Sequence, residues 1–168
     1  MMRLPRRSEG LYLVLCLLLW SAGARASEPP AGDGVRMVPL HATLLQASTT
    51  KPFEDVREEI EFAITERNFR ITGRNTIGAA LRKRGFPDFP DVEVIHFCNL
   101  QNAREVLLLD PGFVAQMPCR ITLHEQNGRV IISAILLPED NPDERVNAFA
   151  RRLNRQLREI VDFALYGF

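Results

Sequence analysis

Long apolar runs, a surplus of one charge and dense cysteine are all missing from this chain of 168 residues. Its longest uninterrupted apolar stretch, Leu11 to Trp20, holds ten residues, about half of the roughly 20 that a helix needs to cross a bilayer. Formal net charge is zero, and beyond residue 26 the chain carries 17 basic and 20 acidic side chains. A surface near minus three lacks the basic stripe that neutralises phosphates, which argues against nucleic acid as a partner. Gly-rich phosphate loops, a Gly-x-Ser-x-Gly elbow and a Cys-x-x-Cys motif are absent too, so the usual nucleotide, hydrolase and dithiol oxidoreductase readings have no support. No internal repeat stands out.

What is present suffices for one packed domain, since 46% of the residues are hydrophobic. The first 26 residues have the layout of an export signal. Arg3, Arg6 and Arg7 form a positive region, the apolar run follows, and Ala24-Arg25-Ala26 puts small residues where a signal peptidase reads. Cleavage before Ser27 is expected, the alternative being an uncleaved anchor. Cys16 sits inside the apolar run without a small residue before it, so lipidation is discounted and this thiol leaves with the signal. Ser8-Glu9-Gly10 continues Arg6-Arg7 poorly as a twin-arginine signal, which favours general secretion and a periplasmic or secreted destination. Residues 27–36, rich in Pro and Gly, read as a flexible leader, and residues 37–168 as a single domain.

Along that domain the pattern alternates between strand and helix periods. Met37 to Leu45 reads as a first strand, with Pro39 near its start. Thr50 and Pro52 mark a helix start, and Phe53, Val56, Ile60 and Ile64 form its apolar stripe. Phe69 to Thr72 suits a second strand, Thr76 to Arg84 a short helix stopped by Gly85, and Val92 to Phe97 a β-branched strand. A helix from about Gln101 to Leu109 ends at Asp110-Pro111-Gly112. Two runs, Arg120 to Gln126 and Arg129 to Leu137, flank Asn127-Gly128 and predict a hairpin. A long amphipathic helix from Pro142 or Asp143 carries Val146, Phe149, Ala150, Leu153, Leu157, Ile160, Val161, Ala164 and Leu165 on one stripe. Segregated hairpin and helices indicate an α+β class with a mostly antiparallel sheet, and the long helix must dock on it.

Two cysteines remain after export, Cys98 at the end of one strand and Cys119 at the start of another. If those strands are antiparallel, both thiols lie on one rim, within reach of the Cα separation of about 4.4–6.8 Å that a disulfide requires. Such a bond would add roughly 3 kcal/mol. Three readings stay open: a disulfide, two buried inert thiols, or a reactive or ligand-binding pair. His96 shares a strand face with Cys98, but two ligands do not make a metal centre, and a histidine hydrogen-bonded at the sheet edge is the simpler reading. His124 should face away from Cys119, and His41 is remote in sequence. Asn99 and Asn102 suit a helix cap, and the same helix start would favour an anion or a thiolate at Cys98. Arg151, Arg152, Arg155 and Arg158 are offset by nearby acids and read as a solvated face.

Phe53-Glu54-Asp55-Val56 opening a helix, the Gly85-Phe86 break, Cys98-Asn99 after a strand, Asp110-Pro111, and Met117-Pro118-Cys119 opening a strand together resemble the domain-of-unknown-function family 302. The resemblance covers about residues 37–165. Leu100 stands where that family usually has a proline. The likeness implies a β-α-β(4)-α fold of the TATA-binding-protein-like class, a curved sheet with helices on one face, often dimeric, and no established activity.

The residues therefore point to an exported, non-enzymatic accessory or small-ligand-binding domain, because no acid, base and nucleophile set assembles. Its candidate ligand edge comprises His96, Cys98, Asn99, Pro118 and Cys119, with no cofactor and no complete metal set implied. Expected partners are a small ligand or a protein, a homodimer being allowed, with no stable membrane span once the signal is removed. The alternative is a thiol-based redox or sulfur-handling protein in which Cys98 reacts and Cys119 resolves.

Overall fold

A computed structural model describes residues 43–167; the signal, the leader, Pro39, His41 and the start of the expected first strand lie outside the described residues. Five strands, β1 (Thr43–Thr49), β2 (Arg70–Thr76), β3 (Val92–Cys98), β4 (Cys119–Gln126) and β5 (Arg129–Leu136), form one sheet in the order β1-β5-β4-β3-β2. Every neighbouring pair is antiparallel. Four helices accompany them: α1 (Phe53–Glu66), α2 (Ile77–Arg82), α3 (Leu100–Leu109) and α4 (Glu144–Tyr166). With α2, α3 and a 3₁₀ segment (Pro111–Gln116) as insertions, the order is the expected β-α-β(4)-α.

The core lies on the face that α1 and α4 cover. Val56, Ile60 and Ile64 of α1 and Leu157, Ile160 and Val161 of α4 recur at helical steps, and all are buried. Opposite them, Ile95 and Phe97 of β3, Ile121 and Leu123 of β4 and Ile132 of β5 are fully buried, one residue in two. Asn127 (φ 52°) and Gly128 (φ 72°) are both left-handed, the backbone that a two-residue turn between right-twisted strands demands. Gly85 (φ 100°) is likewise left-handed, just past α2.

Both edge strands differ from the expected ones. β1 lies later than the apolar pattern of Met37 to Leu45 implies, pairing Thr43 with Leu136 through to Thr49 with Val130. Its Gln46, Ser48 and Thr49 look loop-like in sequence, yet an edge strand has one open side and tolerates them. β2 runs on past Thr72 to Thr76, with a register shift between Ile71 and Gly73. The stop at Asp110 is a cap rather than a loop: its side chain accepts the Gly112 N–H at 2.9 Å and starts the 3₁₀ segment.

The stripe on α4 is interrupted by two buried asparagines that the apolar pattern does not reveal. Asn154 accepts the Leu137 N–H at 2.8 Å and donates to the Leu137 carbonyl at 3.0 Å. Asn147 does the same for Asn141, at 2.7 and 2.8 Å. Each replaces the ladder bonds that the chain gives up on leaving β5. Arg152, one of the four arginines expected on a solvated face, reaches α3: it binds both oxygens of Glu105 at 2.7 Å and lies 5.2 Å over the Phe149 ring.

Candidate functional site

Strands β3 and β4 are antiparallel neighbours, so the end of one and the start of the next meet on one rim, as the cysteine argument requires. The register is offset by one. Cys119 pairs with Phe97, not with Cys98, and Cys98 pairs on its other side with Arg70. A one-residue offset puts adjacent side chains on opposite faces within a strand pair. Both thiols are free, so of the three open readings the disulfide is not the one realised, and the offset is the physical reason.

Both cysteines nevertheless line one cavity at this rim. The sheet rim supplies Phe69, Cys98 and Cys119 as one wall of this slot. Helix α3 supplies Asn102, Ala103 and Val106, and the 3₁₀ segment and its exit supply Phe113, Gln116 and Met117. Leu137, Phe149 and Leu153 close it. Packing follows from sequence here: Phe69 meets Phe97 edge-on at 5.4 Å, and Phe113 meets Phe149 edge-on at 5.9 Å. Leu137 is held in place by Asn154. The cavity measures about 30 Å³. Drug-sized ligands occupy roughly 300–1,000 Å³, so only a species of one or a few atoms fits.

Burial pushes the Cys119 thiol up from 9.0 to about 11, the nearby Cys98 adds to the rise, and a backbone hydrogen bond and Arg120 oppose it. At neutral pH Cys119 is therefore a protonated thiol. A second cavity, of about 50 Å³, lies on the other side of Cys119, between Pro118, Arg120 and Ile135, so this residue forms part of two walls.

Asn99 is a structural clamp. Its side-chain oxygen accepts the Gln101 and Asn102 N–H groups at 2.9 and 3.0 Å, capping α3, and its amide donates to the Asn68 carbonyl at 2.7 Å. Asn68 is itself left-handed (φ 60°), so the clamp fixes the strained turn between α1 and β2. Those bonds occupy the helix start that an anion at Cys98 would need. Leu100 is the first residue of α3 and is 83% exposed. Proline is favoured at that position and any residue is accepted there, so the departure from the family pattern leaves the turn intact.

The remaining predicted residues lie outside the slot. Pro118 is exposed, follows Met117 through a cis peptide and lines only the second cavity of the two. His96 stands on the face away from the core, where its Nε2 lies 3.3 Å from the Asn75 amide, and it does not line the slot. Sequence reasoning missed Met117 and Phe113. Their four-residue spacing was a usable signal, hidden because Asp110-Pro111-Gly112 reads as a helix stop and no further helical turn was expected before the next strand.

No helix among the described residues is long and apolar enough to cross a membrane. A family model described as "Domain of unknown function DUF302" matches residues 45–164. An uncharacterized protein of Aquifex aeolicus (strain VF5) is 26% identical over 110 residues, which cover 65% of this chain and 67% of that protein. The crystal structure of an uncharacterized conserved DUF302 protein from Bacillus stearothermophilus matches with a TM-score of 0.63 at 17% identity, covering 71% of this chain and 95% of that one. At that identity the likeness speaks for the fold.

Proposed function

We propose that this chain, which belongs to the DUF302 family, is an exported, non-enzymatic accessory domain that holds a ligand of one or a few atoms in the slot between Cys98, Cys119 and α3. One observation carries the reading: a cavity of about 30 Å³ lined mostly by apolar side chains, with two free cysteines and the amide residues Asn99, Asn102 and Gln116, where strand ends, α3 and α4 meet. Nothing in that wall supplies an acid, base and nucleophile in mutual reach. The redox alternative makes Cys98 the reacting thiol and Cys119 the resolving one, and burial that pushes Cys119 up to about 11 makes it a slow resolving nucleophile at neutral pH.

Native mass spectrometry of protein purified from its own cells tests the reading. The expected result is a small mass excess in the folded protein that disappears on denaturation and in Ala103→Leu, which fills the slot. A bare mass in the wild type, or an excess retained by Ala103→Leu, would overturn it. Cell fractionation tests export: the expected product is outside the cytoplasm and begins near Ser27, and a full-length cytoplasmic product would defeat that part.

A further inference from the structure

We infer that the face of the sheet turned away from α1 and α4 is a docking surface for an acidic segment of a partner protein that also carries apolar side chains. The inference goes beyond the slot and uses none of its lining. Register defines the face. Residues paired directly across antiparallel strands share one side of a sheet, so Gln46, Ser133, Thr122, Val94 and Asn75 form a row across all five strands. Ile121, Leu123 and Ile132, their neighbours in sequence, are fully buried, which puts the row on the side away from the core. The Gln46 amide donates to the Ser133 hydroxyl at 3.2 Å and ties two of its members together.

Charge sets this face apart. Alternation places Arg70, Arg120 and Arg129 on it, together with His96 and His124. All three arginines are exposed, and none forms an ion pair among the described residues. Arg129 donates to the Ser48 hydroxyl and carbonyl, neutral acceptors that leave its charge uncompensated. By contrast Arg57, Arg67, Arg74 and Arg152, beside the helices, each meet a glutamate. The five strands contain two acids, Glu93 and Glu125, and both are on the covered side, opposite the buried Leu123 and Val130.

These properties select the occupant. Leu44 is 60% exposed, and Ile131 and Ile135 are half-buried between the cations, so a partner gains from apolar side chains as well as from carboxylates. Phe97 is the one aromatic residue in the five strands and it lies in the core, so the face has no platform on which nucleic-acid bases stack. A second copy fits poorly, because two-fold pairing sets a surface against itself and would oppose arginine with arginine. Five strands of about seven residues give a face of roughly 20 by 25 Å, about 500 Å². A stable interface takes about 800 Å² from each partner, so this one suits a short segment held reversibly.

The test is fluorescence anisotropy of the full chain with a short labelled peptide of glutamate, serine and leucine, beside a counterpart with glutamine for glutamate. Saturable binding of the acidic peptide is expected, weakening as salt rises, with amide NMR shifts at Val94, Thr122 and Ser133 rather than on α1 or α4. Arg120→Glu and Arg70→Glu should each weaken it by at least about tenfold, since each replaces an attraction with a repulsion. Arg155→Glu, exposed on α4, should change nothing, and neither should Ala103→Leu, which keeps this surface separate from the slot. Circular dichroism checks the fold of each variant, and Arg70→Glu stands in should Arg120→Glu fail to fold. Absence of saturable binding, equal binding of the glutamine peptide, or equal loss in Arg155→Glu would overturn the inference. So would tighter binding to single-stranded DNA or to phosphatidylglycerol vesicles, or a dimer that Arg120→Glu abolishes.

Discussion

The sheet buries an ionisable group beside each end of β3, and the two places solve the same problem in opposite ways. Beside its exit Cys119, the first residue of β4, lines an apolar slot. Near its entry Glu93 points into the covered face, 6% exposed, with one carboxyl oxygen lacking a hydrogen-bond partner. Burial raises both Cys119 and Glu93, because low polarity disfavours the charged form of either. For a thiol this costs nothing at neutral pH, where it is protonated anyway. A carboxyl group must be neutralised or compensated, and Arg57 and Arg74 pull Glu93 down while Glu61 and Glu54 push it up. Arg57 bonds Glu54 and Glu61 on α1, and Arg74 meets Glu61 at 2.5 Å, so both arginines are shared. A quiet buried group therefore needs only apolar walls, whereas a charged one recruits a network from three elements.

The largest expected effect comes from Phe97→Ala, which removes a fully buried ring beside the slot and should cost about 3–5 kcal/mol in chemical denaturation. Glu93 lies four residues away, roughly 13 Å along the strand, so Phe97→Ala and Glu93→Gln should add to within about 0.5 kcal/mol. A larger coupling would show that the two ends are one unit.

Next is alkaline pH. The native Cys119 thiol ionises near 11 and the unfolded one near 9.0, so its stabilising effect is complete below 9.0 and is lost as pH climbs between those values. The loss should reach about 2–3 kcal/mol and be missing from Cys119→Ala, read as the difference between the two denaturation series. Asn99→Ala should cost about 1–2 kcal/mol by removing the α3 cap and freeing the Asn68 carbonyl. An unchanged midpoint would show that the clamp holds nothing.

Smallest is Glu93→Gln. Because folding raises this carboxyl, its protonated form is the one the native state favours, and stability falls as pH rises from about 4.5 through the native value. The glutamine variant should lack that fall and gain up to about 1 kcal/mol at neutral pH. A variant less stable than wild type at pH 7 would mean that the arginines outweigh burial.

Much of the slot's frame was readable along the chain. The Asn-Gly turn, the Cys98-Asn99 strand end with its helix cap, and the 3.6-residue stripe on α1 each depend on a few consecutive residues, and each stands where expected. The edge strands were harder, because β1 and β2 are recruited by pairing with β5 and β3 rather than by their own apolar pattern. Among site residues, Cys98 and Cys119 were singled out for their type and position, while Phe113 and Leu137 carry no chemistry of their own and matter only through what they surround.

By itself the amino-acid sequence determined the local features: helix periods, caps, left-handed turns and the α+β order, because these are settled by side chains within a turn or two of each other. Tertiary structure alone decided that Cys119 faces Phe97 instead of Cys98, that Asn154 turns inward to hold Leu137, and that Glu93 is buried beneath Arg57 and Arg74. Those outcomes depend on register and on partners remote in the chain, where a shift of one residue exchanges inside for outside and no local pattern records which register is taken.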